Sequence, residues 1–247
     1  MAALARAEVT LLGRSKGTLF AAMFVPLIMP FSVRSAADGM DLEKAGLSIG
    51  TVVLPAALGV SLLFAVYTTL SGVYTARREE LVLKRLRTGE LRDLEILSGS
   101  ALPAVTTGLV QSVVLAAGCS ALLGVEAPAA LYYVIPGFLL GVVMCVAFAA
   151  VTSSFSRNTE SAQVTTMPFM LLSLMGSGLF IPLEVMPDRL ASVCELLPLS
   201  PVMSLLRGGW SGSLSAGEGL TALVTALAWT AIAVFAVRRW FRWEPRR

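Results

Sequence analysis

The sequence has no histidine among its 247 residues. Without an imidazole the chain cannot form a Ser-His-Asp triad, a His-x-x-x-His metal site or a histidine proton relay. Its three cysteines, Cys119, Cys145 and Cys194, lack Cys-x-x-Cys spacing, and we interpret them as small buried hydrophobic residues. We therefore predict that the chain itself has no catalytic, cofactor-binding or metal-ligating residue.

Charge is also scarce. Only 14% of the residues are charged and 56% are hydrophobic, against about 25% and roughly 45–50% in soluble proteins. Six stretches carry no charge, and each is about long enough to cross a bilayer core as a helix, which takes ~17–25 residues. They are 17–33, 45–76, 96–125, 127–156, 161–183 and 219–237. We predict an all-α polytopic membrane protein with six transmembrane helices in one transmembrane domain, residues 1–247.

The first 17 residues have a different character. Leucines at i, i+7 and i+8 alternate with charged residues, which is typical of an amphipathic helix on the membrane surface; they are Leu4, Leu11 and Leu12. A secretory signal peptide is the alternative, because Ser35-Ala36-Ala37 loosely resembles a cleavage site. The long leader and the prolines at 26 and 30 disfavour it.

The basic residues are distributed asymmetrically between alternate loops. Of the 19 Lys and Arg residues, 15 lie in the N-terminal segment, the 77–95 loop, the 157–160 loop and the C-terminal tail. The other loops contain Arg34, Lys44, Arg189 and Arg207. Because positive charge favours the cytoplasmic side, we expect a protein of the cell membrane with both termini in the cytoplasm. The basic residues thus follow the topology, and we predict no nucleic-acid partner.

No acidic or basic residue falls in the central part of any predicted span. Ion-coupled transporters and pumps usually place ionisable groups there, so an ion gradient is not expected to drive this protein. A passive channel is disfavoured because no span has a ring-forming charge or a recognisable selectivity segment. An intramembrane hydrolase is disfavoured by the absence of histidine and of membrane-embedded Lys or Asp.

Residues 77–97 form a charged insertion between the second and third predicted spans. Leucines recur at three-residue spacing on both sides of Thr88-Gly89, which predicts two short amphipathic helices joined at that break. A basic loop on anionic lipid head groups is the alternative. Five acids among six bases, together with the ordered leucines, better fit docking of a protein partner.

Residues 176–208 are apolar, yet their prolines and glycines forbid one continuous helix. Short helices that dip back into the outer leaflet would satisfy both constraints, since irregular backbone at that depth must be sheltered by protein. We therefore predict an extracellular re-entrant segment over residues 183–208. A lipid-anchored extracellular loop is the alternative.

These segments together resemble the ABC-2 type permeases, the membrane-spanning subunits of ATP-binding-cassette exporters. The resemblance rests on the surface helix, on Arg-Glu-Glu-x-x-x-Lys-Arg-Leu from Arg78, and on Ser-Gly-x-x-x-Pro-x-x-x-Met-Pro-x-x-Leu from Ser177 with the Leu-Pro-Leu-Ser-Pro and Leu-Arg-Gly that follow. The last of these, residues 177–208, which we call the outer block, is the most specific of the three. One departure is Thr88-Gly89, where many members have proline after the threonine.

The resemblance implies a division of labour between subunits. A separate ATPase would hold ATP and Mg²⁺, and two permease subunits, as a homo- or heterodimer, would form the pathway in the lipid membrane. In agreement, the chain has no Gly-x-x-x-x-Gly-Lys-Ser/Thr phosphate loop. By analogy, the ATPase-coupling residues would be Glu79, Glu80, Leu83, Arg85 and Leu86. The extracellular gate would include Gly178, Pro182, Met186, Pro187 and Leu190.

Polar and methionine side chains inside the spans could face a transport pathway. Candidates are Thr68, Thr69, Gln111, Met167, Met170 and Ser173. Each polar group could instead be satisfied by a backbone carbonyl or a neighbouring helix, and methionines suit varied apolar ligands as well as helix packing. They favour an amphiphilic substrate such as a drug, lipid or lipopeptide. The alternative function is a non-transporting immunity or sensor partner of an ATPase or kinase.

Overall fold

The computed structural model describes residue 28 and residues 49–123, 125–180, 183 and 186–244. The predicted surface helix, all but one residue of the first predicted span, and Pro182 lie outside these residues. Across the described ranges the secondary structure is helical, without a strand. The prediction of an all-α protein is therefore confirmed for this part of the chain.

The first described span is one long helix with a π-helical centre. It comprises α1 (Ile49–Ser61), a π-helix (Leu62–Thr68) and α2 (Thr69–Glu79). Two threonine hydroxyls add hydrogen bonds to carbonyls of this π-helical segment. Thr68 and Thr69 each donate through Oγ1 to a carbonyl five residues earlier, those of Leu63 and Phe64, at 2.9 Å.

The helices that follow differ greatly in length. They are α3 (Val82–Arg87), α4 (Asp93–Leu123), α5 (Leu131–Phe155), α6 (Thr159–Gly176), α7 (Asp188–Glu195), α8 (Ser200–Ser211) and α9 (Ala216–Trp240). Capping boxes fix the starts of α6, at Asn158 and Ser161, and of α9, at Ser215 and Glu218.

Four described helices are long and apolar enough to cross a membrane: Val52–Glu79, Asp93–Ala121, Leu131–Phe155 and Ala216–Trp240. A fifth crossing exists if α7 and α8, which meet at 106°, count as one broken span. The predicted window 161–183 corresponds to α6, whose 18 residues span about 27 Å. Its first half is rich in polar residues, so it falls short of the four in hydropathy. The described residues thus support a multi-pass membrane protein with four or five apolar spans.

The span Val52–Glu79 is the centre of the bundle: 83% of its most apolar stretch is buried, against 22% for Ala216–Trp240. Helix α8 is almost as enclosed, with buried residues from Ser200 to Gly209. It packs on α5 at two glycines four residues apart. A β-carbon at Gly137 would lie 2.8 Å from Leu205 Cβ, and one at Gly141 would lie 2.9 Å from Val202 Cγ1. These glycines let the two backbones approach closely, as in small-xxx-small packing.

The loops between the helices lie at two opposite ends of the bundle. At one end, the α2–α4 connection, the α5–α6 connection and the C-terminal tail lie together, since Lys84 Nζ is 2.7 Å from Glu244 Oε1 and the Arg242 amide bonds Ser154 Oγ at 3.3 Å. At the other end, the Ala130 amide donates to the Gly209 carbonyl at 2.8 Å. The loops predicted to be cytoplasmic therefore share one end, which we call the basic end.

Candidate functional site

The charged insertion begins where α2 stops at Glu79. Leu81 adopts a left-handed conformation with φ of 59° and turns the chain into α3, although leucine rarely takes such a φ. The structure differs from the prediction of two short helices. The first is α3, but the second is the beginning of the long helix α4, and residues 88–92 separate them.

The five predicted coupling residues do not all face outward. Glu80 and Arg85 are exposed, and Leu86 is partly buried. Leu83 is fully buried, so it anchors α3 to the protein instead of presenting a docking surface. Glu79 is exposed but already bonded, because its Oε2 accepts from the backbone N–H of Thr159 at 2.9 Å. Of the five, Leu83 is therefore closed to a partner, while Glu80, Arg85 and the exposed part of Leu86 are open to one, beside the bonded Glu79.

Two arginines that are not among the predicted coupling residues connect the helices at the basic end. Arg78 is fully buried and donates through Nη2 to the backbone carbonyl of Ser156. Arg77 donates through Nη1 to Ser100 Oγ at 2.8 Å. These bonds tie α2 to α4 and to the end of α5. The sequence does show two arginines at the end of an apolar stretch. It does not show which of the two side chains is buried.

The C-terminal tail is bonded to α3. Lys84 of α3 forms an ion pair with Glu244 of the tail. The Arg87 guanidinium, also on α3, lies 4.8 Å from the ring centroid of Trp243 in the tail. Arg87 also makes two bonds to the Asp93 carboxylate, at 3.0 and 3.3 Å. The short helix is thus held between the start of α4 and the tail, although such exposed pairs are individually weak, at about 0.2–1 kcal/mol.

The predicted pathway residues fall into separate places. Thr68 approaches Met170 of α6, with Oγ1 to Sδ at 3.9 Å. Gln111 is fully buried on α4 and accepts from Ser61 Oγ at 3.1 Å, two turns away along the first span. Ser173 is buried, whereas Met167 is 46% exposed. The hydroxyls of Thr68 and Thr69 bond backbone carbonyls of their own helix.

A polar-aromatic contact that sequence reasoning missed joins the first span to α5 and α6. The Tyr67 hydroxyl lies 3.1 Å from Thr152 Oγ1 and donates to the Thr166 carbonyl at 3.4 Å. Its ring is 4.7 Å from that of Phe169, which stacks on Phe148 at 4.6 Å. Because these residues are far apart in sequence, no spacing pattern could have indicated them.

At the opposite end, the predicted gate residue Gly178 is bonded to a buried arginine. Gly178 follows α6 with φ of +72°, a conformation that favours glycine. Its carbonyl accepts from Nη2 of Arg207, which is 5% exposed on α8. Met186 lies in the loop before α7, Pro187 precedes the first turn of α7, and Leu190 within it is 52% exposed. Arg207 therefore connects α8 to the end of α6, and it was not among the predicted gate residues.

Within the described residues no group of three or more His, Cys, Asp or Glu side chains could hold a metal ion. The charged side chains instead make ion pairs and helix caps at the two ends of the bundle.

Comparison with known families identifies a match over most of the chain. The family model described as ABC-2 type transporter matches residues 1–210, which covers the first described span, the insertion and most of α8. A search of curated proteins found no match.

Proposed function

The chain belongs to the ABC-2 type transporter family, and on this premise we propose that it is the permease subunit of an ATP-driven exporter. The family domain is a transmembrane permease domain, distinct from an ATP-binding cassette. A separate ATPase subunit would bind ATP and Mg²⁺ and supply the energy. Two permease subunits, alike or different, would form the pathway across the cell membrane.

The observation that carries this proposal is the way the insertion is attached. Glu80, which caps the end of α2, and Arg85, on α3, are exposed. Leu83 is buried and Glu79 is bonded to α6. A partner that pushes on α3 would therefore also move the helices to which α3 and the end of α2 are attached. Such a push is expected to tilt α2 and α6 together as rigid bodies.

Arg78 connects α2 to a further helix, α5. The guanidinium is fully buried and bonded to the Ser156 carbonyl at the end of α5. Movement of α2 would be transmitted to α5, on which α8 rests through Gly137 and Gly141. The outer block would then respond through Arg207 and Gly178. In this proposal, Gly178, Pro182, Met186, Pro187 and Leu190 form the extracellular gate.

The substrate we propose is amphiphilic, such as a drug, lipid or lipopeptide. Support comes from helix α6, whose Met170 lies against the first span at Thr68. Exposed methionines on α6, including Met167 and Met175, add an adaptable apolar surface.

The full topology we propose has six spans and a surface helix over residues 1–17, with both termini in the cytoplasm and a single domain over residues 1–247. The re-entrant segment, residues 183–208, would be formed by α7 and α8. Support comes from the 106° bend between them and from the burial of α8.

Single-cysteine labelling tests the topology. The native cysteines are all buried and would be replaced by alanine. Gly89 and Ser213 are exposed at opposite ends of the bundle. We expect Gly89→Cys to react with an impermeant maleimide only after permeabilisation and Ser213→Cys to react in intact cells. The reverse pattern would contradict the proposed orientation.

Copurification tests the partner. The tagged chain would be coexpressed with candidate ATP-binding-cassette ATPases of the same genome. We expect one of them to copurify in a stable complex, and the Glu80→Lys, Arg85→Glu variant to lose it. A chain that is folded in the membrane but binds none of these ATPases would contradict the proposed function.

A further inference from the structure

A groove of about 790 Å³ opens at the basic end, between α4, α5 and α9. Helix α5 contributes Val142, Val146 and Ala150, α4 contributes Leu97 and Ala101, and α9 contributes Val234. None of the predicted pathway residues lines it. The groove is therefore separate from the Thr68–Met170 contact.

Exposed apolar side chains follow the edges of the groove, as expected for a groove that opens sideways to lipid. Leu94, Leu102 and Val143 lie along its edges and are 69%, 38% and 47% exposed. On α4 the lining extends from Asp93 to Val105, a rise of about 18 Å at ~1.5 Å per residue. One leaflet of a hydrocarbon core that is ~30 Å thick has a similar depth, about 15 Å.

Charge is confined to one end of the groove. Arg87, Arg92 and Arg238 line it there together with Asp93 and Trp243. Arg87 is bonded to the Asp93 carboxylate, which leaves Arg92 and Arg238 as the two further cations. Among the described residues, neither of these two guanidinium groups makes an ion pair, and both are exposed.

We propose that this groove binds an anionic phospholipid of the adjacent leaflet. The acyl chains would lie along the valines and leucines, and the phosphate would lie between Arg92 and Arg238. Basic pockets between transmembrane helices bind anionic head groups in this way, and guanidinium groups suit the oxygens of a phosphate. Trp243 sits at the level of the arginines, where an amphipathic ring favours the interface.

The site would connect the lipid to the moving part of the protein. Arg87 belongs to α3, Arg92 precedes α4 and Arg238 closes α9. A lipid phosphate between Arg92 and Arg238 would join the start of α4 to the end of α9, beside the Lys84–Glu244 pair that links α3 to the tail. This binding does not depend on the proposed transport function, and it can be measured without an ATPase.

Native mass spectrometry of the full, delipidated chain tests the proposal. Phosphatidylglycerol and phosphatidylcholine with identical acyl chains would be titrated separately. We expect Arg92→Gln with Arg238→Gln to weaken phosphatidylglycerol binding about 10- to 30-fold, on the basis of ~1 kcal/mol per basic residue. The matched control is Arg239→Gln with Arg242→Gln, which removes the same charge at the same end outside the groove and should change binding less than about 2-fold.

A second variant tests the acyl groove while keeping every charge. Val146→Trp fills the groove, whereas Leu139→Trp adds the same side chain to an exposed position of α5 that does not line it. We expect only Val146→Trp to reduce phosphatidylglycerol binding. Inorganic phosphate at millimolar concentration should not displace the lipid.

Four results would overturn the proposal. They are equal binding of the two lipids, equal loss in the arginine variant and its control, unchanged binding in Val146→Trp, and displacement by inorganic phosphate, which would indicate a site for free phosphate alone.

Discussion

The Glu79 carboxylate accepts a hydrogen bond from the backbone N–H of Thr159 at 2.9 Å, across 80 positions of sequence. Thr159 is the first residue of α6, so a negative charge lies at the positive end of that helix dipole. The end of the first described span and the start of α6 are therefore one mechanical unit. A residue that resembles a docking contact in sequence is a link within the chain.

This relationship predicts different effects for two neighbouring glutamates. Glu79→Gln keeps an acceptor oxygen but loses the charge, and we expect it to lower the free energy of unfolding by about 0.5–1 kcal/mol and the Tm by about 1–4 °C. Glu80→Gln should leave the Tm unchanged. A thiol-reactive dye can follow unfolding, because all three cysteines are buried. Equal Tm values for the two variants would contradict the assignment.

The exposed charges of Glu80 and Arg85 and the buried side chain of Leu83 predict a separation of docking from stability. Glu80→Lys with Arg85→Glu reverses exposed charges, and we expect it to reduce ATPase copurification strongly while the Tm stays within about 2 °C. Leu83→Ala removes a fully buried side chain and should destabilise the chain by about 2–5 kcal/mol. If the charge reversal lowered the Tm and left copurification intact, the exposed face would not be the docking surface.

The close contact between α5 and α8 predicts sensitivity at Gly137. The new β-carbon of Gly137→Ala would lie 2.8 Å from Leu205 Cβ, an atom that cannot rotate away, so we expect a loss of about 1–3 kcal/mol. Gly118→Ala is the matched control, since nothing lies within 4 Å of its β-carbon, and it should be neutral or stabilising by about 0.5–1 kcal/mol. The unfolding assay compares them, and a stable Gly137→Ala protein would contradict the packing.

The buried Arg207 predicts a defect in transport without loss of docking. Lysine keeps the charge but cannot reproduce the planar guanidinium that bonds the Gly178 carbonyl. We expect Arg207→Lys to reduce export at least about 10-fold, equivalent to ~1.4 kcal/mol, while the ATPase still copurifies. Arg189→Lys, an exposed change on α7, is the control. Loss of ATPase binding in Arg207→Lys would mean that this arginine is needed for folding.

The sequence was sufficient to locate most described spans, because charge-free length is a direct requirement of a bilayer. The windows 45–76 and 127–156 correspond to Val52–Glu79 and Leu131–Phe155. Window 161–183 corresponds to α6, which is not among the four most apolar spans, because charge-free length alone ignored its polar first half. The broken outer block was foreseen from its prolines and glycines, and it contains two helices at 106°.

Contacts between distant residues could not be predicted in this way. Burial of Leu83, the link from Glu79 to α6 and the bond from Arg78 to Ser156 each depend on the arrangement of helices in space. The π-helix at Leu62–Thr68 also has no periodic signal in an apolar run. Gly137 and Gly141 do form a readable small-xxx-small pattern, but the pattern does not name α8 as the partner.

The central claim is that this permease moves an amphiphile when a partner ATPase hydrolyses ATP. The most direct measurement is flux of a fluorescent amphiphile in vesicles that contain the chain and the ATPase copurified with it. We expect flux that requires ATP, Mg²⁺ and both proteins. We expect it to fall to background in the double variant Glu80→Lys, Arg85→Glu. Flux that is the same without ATP, or without this chain, would contradict it.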